Sequence, residues 1–176
     1  KFEINNQLAA TDGEMVVINQ DIPQSTALIG ARGIFRDDPD YYAASLLNSA
    51  LGGASFMSRL WKAVRQERGL AYSVNTFLVP MKHSSYLMAS VATKNEKMGE
   101  TLDVIENEIL SIIRHGLTEE ELRNIKTYSI GKFALNLDRN SRIASILAGM
   151  QIANLDADYI VQRIALINAV TNEDIK

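Results

Sequence analysis

Residues 58–93 read SRLWKAVRQERGLAYSVNTFLVPMKHSSYLMASVAT, and the spacing of apolar residues changes once along them. Ser58 is placed to cap a helix that carries Leu60, Trp61 and Val64 inward and stops at Gly69. Beyond the glycine the pattern becomes that of strands, over 70–80 and again over 84–93, joined through Met81-Lys82-His83. A short helix running directly into an antiparallel hairpin is the nucleus from which the rest of the chain is read.

Upstream, residues 14–20 (EMVVINQ) and 24–34 (QSTALIGARGI) are strand-like and separated by Asp21-Ile22-Pro23; the second sets Ala27, Ile29 and Ala31 against Thr26, Leu28 and Arg32. Asp38 before Pro39 predicts an N-cap with proline at the first helical position, opening a helix over about 39–51. That helix is expected to end on Gly52-Gly53, which can take positive φ. Downstream the period is helical. Met98, Leu102, Ile105, Ile109 and Ile112 form one stripe, and Thr118-Glu119-Glu120-Glu121 is a capping box opening a helix with Leu122, Ile125, Phe133 and Leu137 mostly on one side. Two shorter helices are expected near 141–154 and 158–169. Strands with helical inserts followed by a block of helices predict an α+β fold, an antiparallel sheet with helices packed on one face.

The 176 residues are 47% hydrophobic, enough for a buried core and unlike a disordered chain. A net charge of −3 supplies no basic field for nucleic acid. No apolar run reaches the ~20 residues that span a bilayer, and KFEINNQL lacks the apolar stretch of a signal peptide, so a soluble segment is expected. Its compartment stays open among bacterial periplasm, cytoplasm and an organelle. The chain begins at Lys1, and Thr171-Asn172-Glu173-Asp174 reads as a helix N-terminus followed by only two further residues; both features fit a domain excised from a longer protein, residues 1–176 forming one unit.

With no cysteine there is no thiolate ligand or nucleophile. The two histidines, His83 and His115, lie 32 positions apart, in a predicted hairpin turn and at a predicted helix end, whereas a two-histidine zinc helix needs its ligands about one turn apart. No metal site is expected in this chain. Gly52-Gly53-Ala54-Ser55-Phe56 does not match a nucleophile elbow, and Asp37, Asp38 and Asp40 lack the spacing of a calcium loop and read as a helix cap and turn. One pair remains. If the helix ends at Gly69, the chain turns back and brings Tyr72 beside Arg65, a guanidinium fork for carbonyl oxygens next to a phenol donor for a developing oxyanion. Local physics leaves a plainer reading open, in which Arg65 is a surface helix arginine and Tyr72 a half-buried strand tyrosine.

The segment LGGASFMSRLWKAVRQERGLAYSV, residues 51–74, resembles the pattern L-G-G-x-x-x-S-R-L-[FW]-x-x-[VL]-R-x-x-x-G-L-[AG]-Y-x-[VI] of the pitrilysin and insulinase (inverzincin) metallopeptidases, and is similar above all to the mitochondrial processing peptidase branch and its bacterial relatives. The similarity continues through QSTALIGARGIFRDDPDYYAASLLNSALGG before it and GLTEEELRNIKTYSIGKFALNLDRNSRIASIL after it, from about Val16 to the end.

The resemblance implies two α+β units facing each other across a chamber, one with a zinc-binding H-x-x-E-H helix and one with an arginine and a tyrosine. This chain lacks H-x-x-E-H, and Arg65 and Tyr72 fall on the arginine and tyrosine positions, so it resembles the zinc-free, C-terminal unit. The implied function is to bind an extended peptide substrate and stabilise the transition state in the active site of a partner domain or subunit, which holds the Zn2+. Alone, the unit is expected to be inactive and to expose an apolar face suited to a homodimer. The alternative is a catalytically silent interaction subunit of the same fold, like the core proteins of respiratory complexes; an autonomous enzyme finds no ligand cluster or nucleophile–base pair to support it.

Overall fold

The computed structural model describes residues 13–81 and 83–176. Three antiparallel strands, β1 (Gln24–Arg32), β2 (Ala71–Pro80) and β3 (Ser85–Lys94), form a sheet of order β1-β3-β2. Between β1 and β2 the chain makes α1 (Tyr41–Asn48), which widens into a π-helical turn at Ser49–Gly53, then a 3₁₀ turn at Ser55–Met57 and a short helix over residues 59–66 that is π-helical over Trp61–Gln66. After β3 come α2 (Met98–His115), α3 (Glu119–Leu135), α4 (Asn140–Ile152), α5 (Tyr159–Ala169) and α6 (Asn172–Ile175). The result is the expected α+β arrangement.

Register assigns each strand residue to a face, because successive side chains alternate. Val74, Val91 and Ala27 form one row against the helices, and Thr76, Ala89 and Ile29 the next. Leu46, Leu60, Val64, Val91, Ile105 and Ile167 are almost completely buried where this face meets the helices. The stripe on α2 runs as its spacing predicts, with Ile105 and Ile112 in the core. On α3 Leu122 and Ile125 are buried and Phe133 half-buried, but Leu137 lies beyond the helix end and is exposed. On the opposite face of the sheet Leu28 and Phe77 are exposed and Met88 half-buried among the described residues.

Three boundaries differ from the sequence reading. Residues 14–20 form no strand: Met15, Val16, Val17 and Ile18 are all largely exposed, and β1 pairs only with β3. Four consecutive apolar residues cannot share one face of a strand, and among the described residues nothing pairs with their backbone. The first helix starts at Tyr41 rather than 39, because the Asp38 carboxylate accepts from the Asp40 backbone N–H at 2.9 Å and holds Pro39-Asp40 as a turn. Gly52 and Gly53 do not have positive φ. They are small because the chain is crowded: a Cβ on Gly52 would lie 2.8 Å from the Thr76 backbone nitrogen, and one on Gly53 would lie 2.7 Å from the Asn48 amide.

Candidate functional site

Helix 59–66 is held at both ends. At its start Ser58 Oγ lies 3.4 Å from the Trp61 N–H, as an N-cap, and itself donates to the Ser55 carbonyl at 2.8 Å. At its end Gly69 has φ +59°, and the Gly69 and Leu70 N–H groups donate back to the Arg65 and Val64 carbonyls at 3.1 and 2.8 Å. This is a left-handed glycine stop, and it turns the chain straight into β2. The buried Thr93 hydroxyl donates to the Leu70 carbonyl and ties the turn to β3.

The first residues of β2 then break register. Ala71 pairs with Thr93 and Ser73 with Ala92, leaving Tyr72 as the extra residue of a β-bulge. The cause is readable in burial: Ala71 and Val74 both enter the core although three residues apart, a spacing no regular strand provides. The bulge turns Tyr72 out of the ladder, and it is 80% exposed. The half-buried strand tyrosine of the plainer reading is therefore incorrect, since the bulge takes Tyr72 itself out of the ladder.

Arg65 meets this ring. Its guanidinium carbon lies 4.6 Å from the Tyr72 centroid and 5.8 Å from that of Trp61, one turn earlier on the same helix. Trp61 is steadied in turn by an edge contact with Phe56 at 5.1 Å. Among the described residues no carboxylate pairs with Arg65 and no group engages the Tyr72 hydroxyl. The site thus presents a stacked cation and a free phenol, both of them donors, on a rigid turn.

Sequence reasoning placed this pair and missed what anchors it. Arg59 Nε and Nη2 both donate to the Glu121 carboxylate at 2.7 Å, and Nη2 also reaches the Gly116 carbonyl at 3.2 Å. Glu121 is the capping-box residue of α3, accepting from the Thr118 N–H at 2.8 Å while its own N–H donates to the Thr118 hydroxyl at 3.1 Å. Burial alone would raise the Glu121 carboxyl, but the hydrogen bonds from Arg59 and Thr118 outweigh it and hold the group at about 2. The available signal was the box itself, whose carboxylate has two oxygens and lone pairs to spare for an arginine.

His83 is half-buried in the hairpin loop and His115 exposed at the end of α2. Among the described residues no group of three or more His, Asp or Glu side chains converges on a metal position, and no helix is long and apolar enough to cross a membrane.

Residues 7–128 match the family model described as the peptidase M16 inactive domain. An uncharacterised zinc protease of Streptomyces coelicolor is 25% identical over 164 residues, which are 93% of this chain and 36% of that protein. A Helicobacter pylori protein described as a non-peptidase homolog is 29% identical over 135 residues, 74% of this chain and 30% of its own length. The crystal structure of a peptidase M16 inactive domain from Pseudomonas fluorescens superposes with a TM-score of 0.79 at 32% identity, covering 86% of this chain and 36% of that one. The chain therefore spans about a third of the length of the relatives it matches.

Proposed function

The chain belongs to the M16 peptidase family, as one of its inactive domains, and from that premise we propose that residues 1–176 are the zinc-free, C-terminal-type half of a zinc-dependent endopeptidase. The observation that carries this is the Tyr72 bulge: a phenol turned 80% into solvent, with Arg65 stacked on its ring and neither group spent on an internal partner. A tyrosine serving only the core would be buried instead.

In this reading the Zn2+ of a partner domain or subunit, bound by its H-x-x-E-H helix, supplies the activated water. Arg65 and Tyr72 do the rest from this side. The guanidinium fork binds backbone carbonyls of an extended peptide and fixes its register, while the Tyr72 hydroxyl donates to the oxygen on which negative charge develops as the scissile carbonyl becomes tetrahedral. Neither residue acts as a nucleophile or base. The glycine stop and bulge fix the direction of the phenol before substrate arrives. Backbone recognition suits peptides or unfolded segments of varied sequence.

The test is cleavage of a quenched peptide library by the full parent assembly, with Tyr72→Phe and Arg65→Ala variants of matched stability. Zinc-dependent cleavage that falls in both variants supports the reading. Activity indifferent to both, or absent in every form, supports the second reading, a silent interaction subunit of the same fold, which the non-peptidase description of the Helicobacter pylori relative favours.

A further inference from the structure

We propose that a second site, the cleft between the loop after β1 and helices α3, α4 and α5, binds a monoanionic carboxylate carried on an aromatic or aliphatic body. The cleft has a volume of about 990 Å³ and includes Arg36, Tyr41, Phe133, Met150, Tyr159 and Arg163 in its walls. It lies at the Pro80–Met81 end of β2, eight residues from Tyr72 and so ~26 Å of strand away from the Arg65–Tyr72 pair.

Arg36 is built in rather than dangling. Gly33 approaches the β3 backbone so closely that a Cβ would sit 2.5 Å from the Tyr86 nitrogen, and its N–H donates to the Ser85 carbonyl at 3.1 Å, which pins the loop. Three residues later the Arg36 guanidinium stacks at 3.9 Å on Tyr41, 4.9 Å on Tyr159 and 5.5 Å on Tyr42. Its buried Nη2 and the buried Tyr42 hydroxyl lie beside one another, and neither makes a hydrogen bond of good geometry. Arg163 lies with its guanidinium carbon 4.4 Å from the Phe133 centroid and makes one long hydrogen bond, 3.4 Å to the Ser129 carbonyl.

The charge in the cleft is not balanced from within. Neither Arg36 nor Arg163 belongs to an ion pair among the described residues. The phenols do not supply the missing anion, since burial first, with the neighbouring Tyr159, pushes Tyr42 up to about 12, and burial raises Tyr41 too. The surrounding rings favour the charged guanidinium, outweighing its partial burial, but supply no counter-anion, so the cation is in place for an incoming carboxylate. Asp37 on the rim leaves two cations against one carboxylate, a balance that suits one negative charge and opposes two. The planar forks match a carboxylate, and the remaining wall of Phe133, Ile146 and Met150 suits the apolar body attached to it.

The experiment is calorimetric titration of the full chain with N-acetyl-L-phenylalanine, with the uncharged N-acetyl-L-phenylalaninamide and with inorganic phosphate. The acid is expected to bind at least about tenfold more tightly than the amide and more tightly than phosphate. Arg36→Gln and Arg163→Gln should each weaken the acid about tenfold without changing the amide, and Tyr72→Phe should change neither. Arg163 makes only one long internal hydrogen bond, so its variant remains informative even if Arg36→Gln does not fold. Equal binding of acid and amide, tighter binding of phosphate, no heat up to about 10 mM, or an unaltered Arg163→Gln titration would each overturn the proposal. None of these outcomes bears on the peptidase reading, which is tested at the other end of the strand.

Discussion

The guanidinium of Arg65 lies 4.6 Å over the ring of Tyr72, and the two residues are joined by a turn that has only one glycine to make it, Gly69 at φ +59°. Arg65 is half-buried in this stack and Tyr72 is 80% exposed. In the peptidase reading Tyr72→Phe keeps the ring, and therefore the stack, and removes one donor. Cleavage by the parent assembly is expected to drop about a hundredfold or more in kcat with KM little changed, the signature of a bond made mainly in the transition state. Arg65→Ala should raise KM as well. Steady-state kinetics on a quenched peptide separates the two patterns.

The turn itself can be tested apart from the hydroxyl. Gly69 has open space where a Cβ would go, so Gly69→Ala meets no clash and feels only the left-handed backbone, at about 1–2 kcal/mol. Gly52→Ala meets the Thr76 backbone nitrogen at 2.8 Å and should destabilise by about 1–3 kcal/mol through overpacking. Denaturant melts measure both losses. Of the two, Gly69→Ala should also lower cleavage, because it shifts the direction of Tyr72, whereas Gly52 lies behind β2.

These positions show what the sequence could and could not reveal. Gly69 as a helix stop, the Thr118 capping box and the stripe on α2 are local signals, in which neighbours along the chain decide the outcome, and the structure has them where the spacing puts them. The Arg65–Tyr72 contact followed from the stop alone. The bulge did not, because it arises from Ala71 and Val74 both entering a core that only the folded sheet defines. The strand expected at 14–20 failed for the same reason in reverse: its apolar residues have no described strand beside them. The glycines at 52 and 53 were expected just past the helix end, but they lie inside a helical turn that runs on to Gly53; the approach of Gly52 to Thr76, 24 positions away, leaves no mark in local pattern.

The Arg59–Glu121 pair makes stability depend on acid. The Glu121 carboxyl is held at about 2 in the folded protein against 4.5 for the ordinary group. A lowered folded value means that the contribution is fully present above about 4.5 and disappears as pH falls toward 2. The carboxylate is partly open to solvent, which reduces the effect to about 1–2 kcal/mol. Urea unfolding at pH 7 and pH 3 should show a loss that Glu121→Gln abolishes, the variant being less stable at pH 7 and flatter across the range. An unchanged pH dependence in the variant would remove Glu121 as the cause.

The uncovered face of the sheet leads to a prediction about assembly. Leu28, 66% exposed, and Phe77, 45% exposed, share that face with Met88, and Met15 to Ile18, shortly before β1 in the sequence, are a further exposed apolar run. A face of this composition is unfavourable in water and is expected to close against something, which in the peptidase reading is the zinc-bearing unit and in its absence a second copy. The isolated domain should therefore dimerise with rising concentration in light scattering. Leu28→Lys and Phe77→Lys should restore the monomer without loss of fold, because neither side chain belongs to the buried core. A monomer at every concentration would show that this face is stable in water on its own, and the partner surface would then have to be sought elsewhere, first around the exposed Phe56 and Met57 beside Trp61.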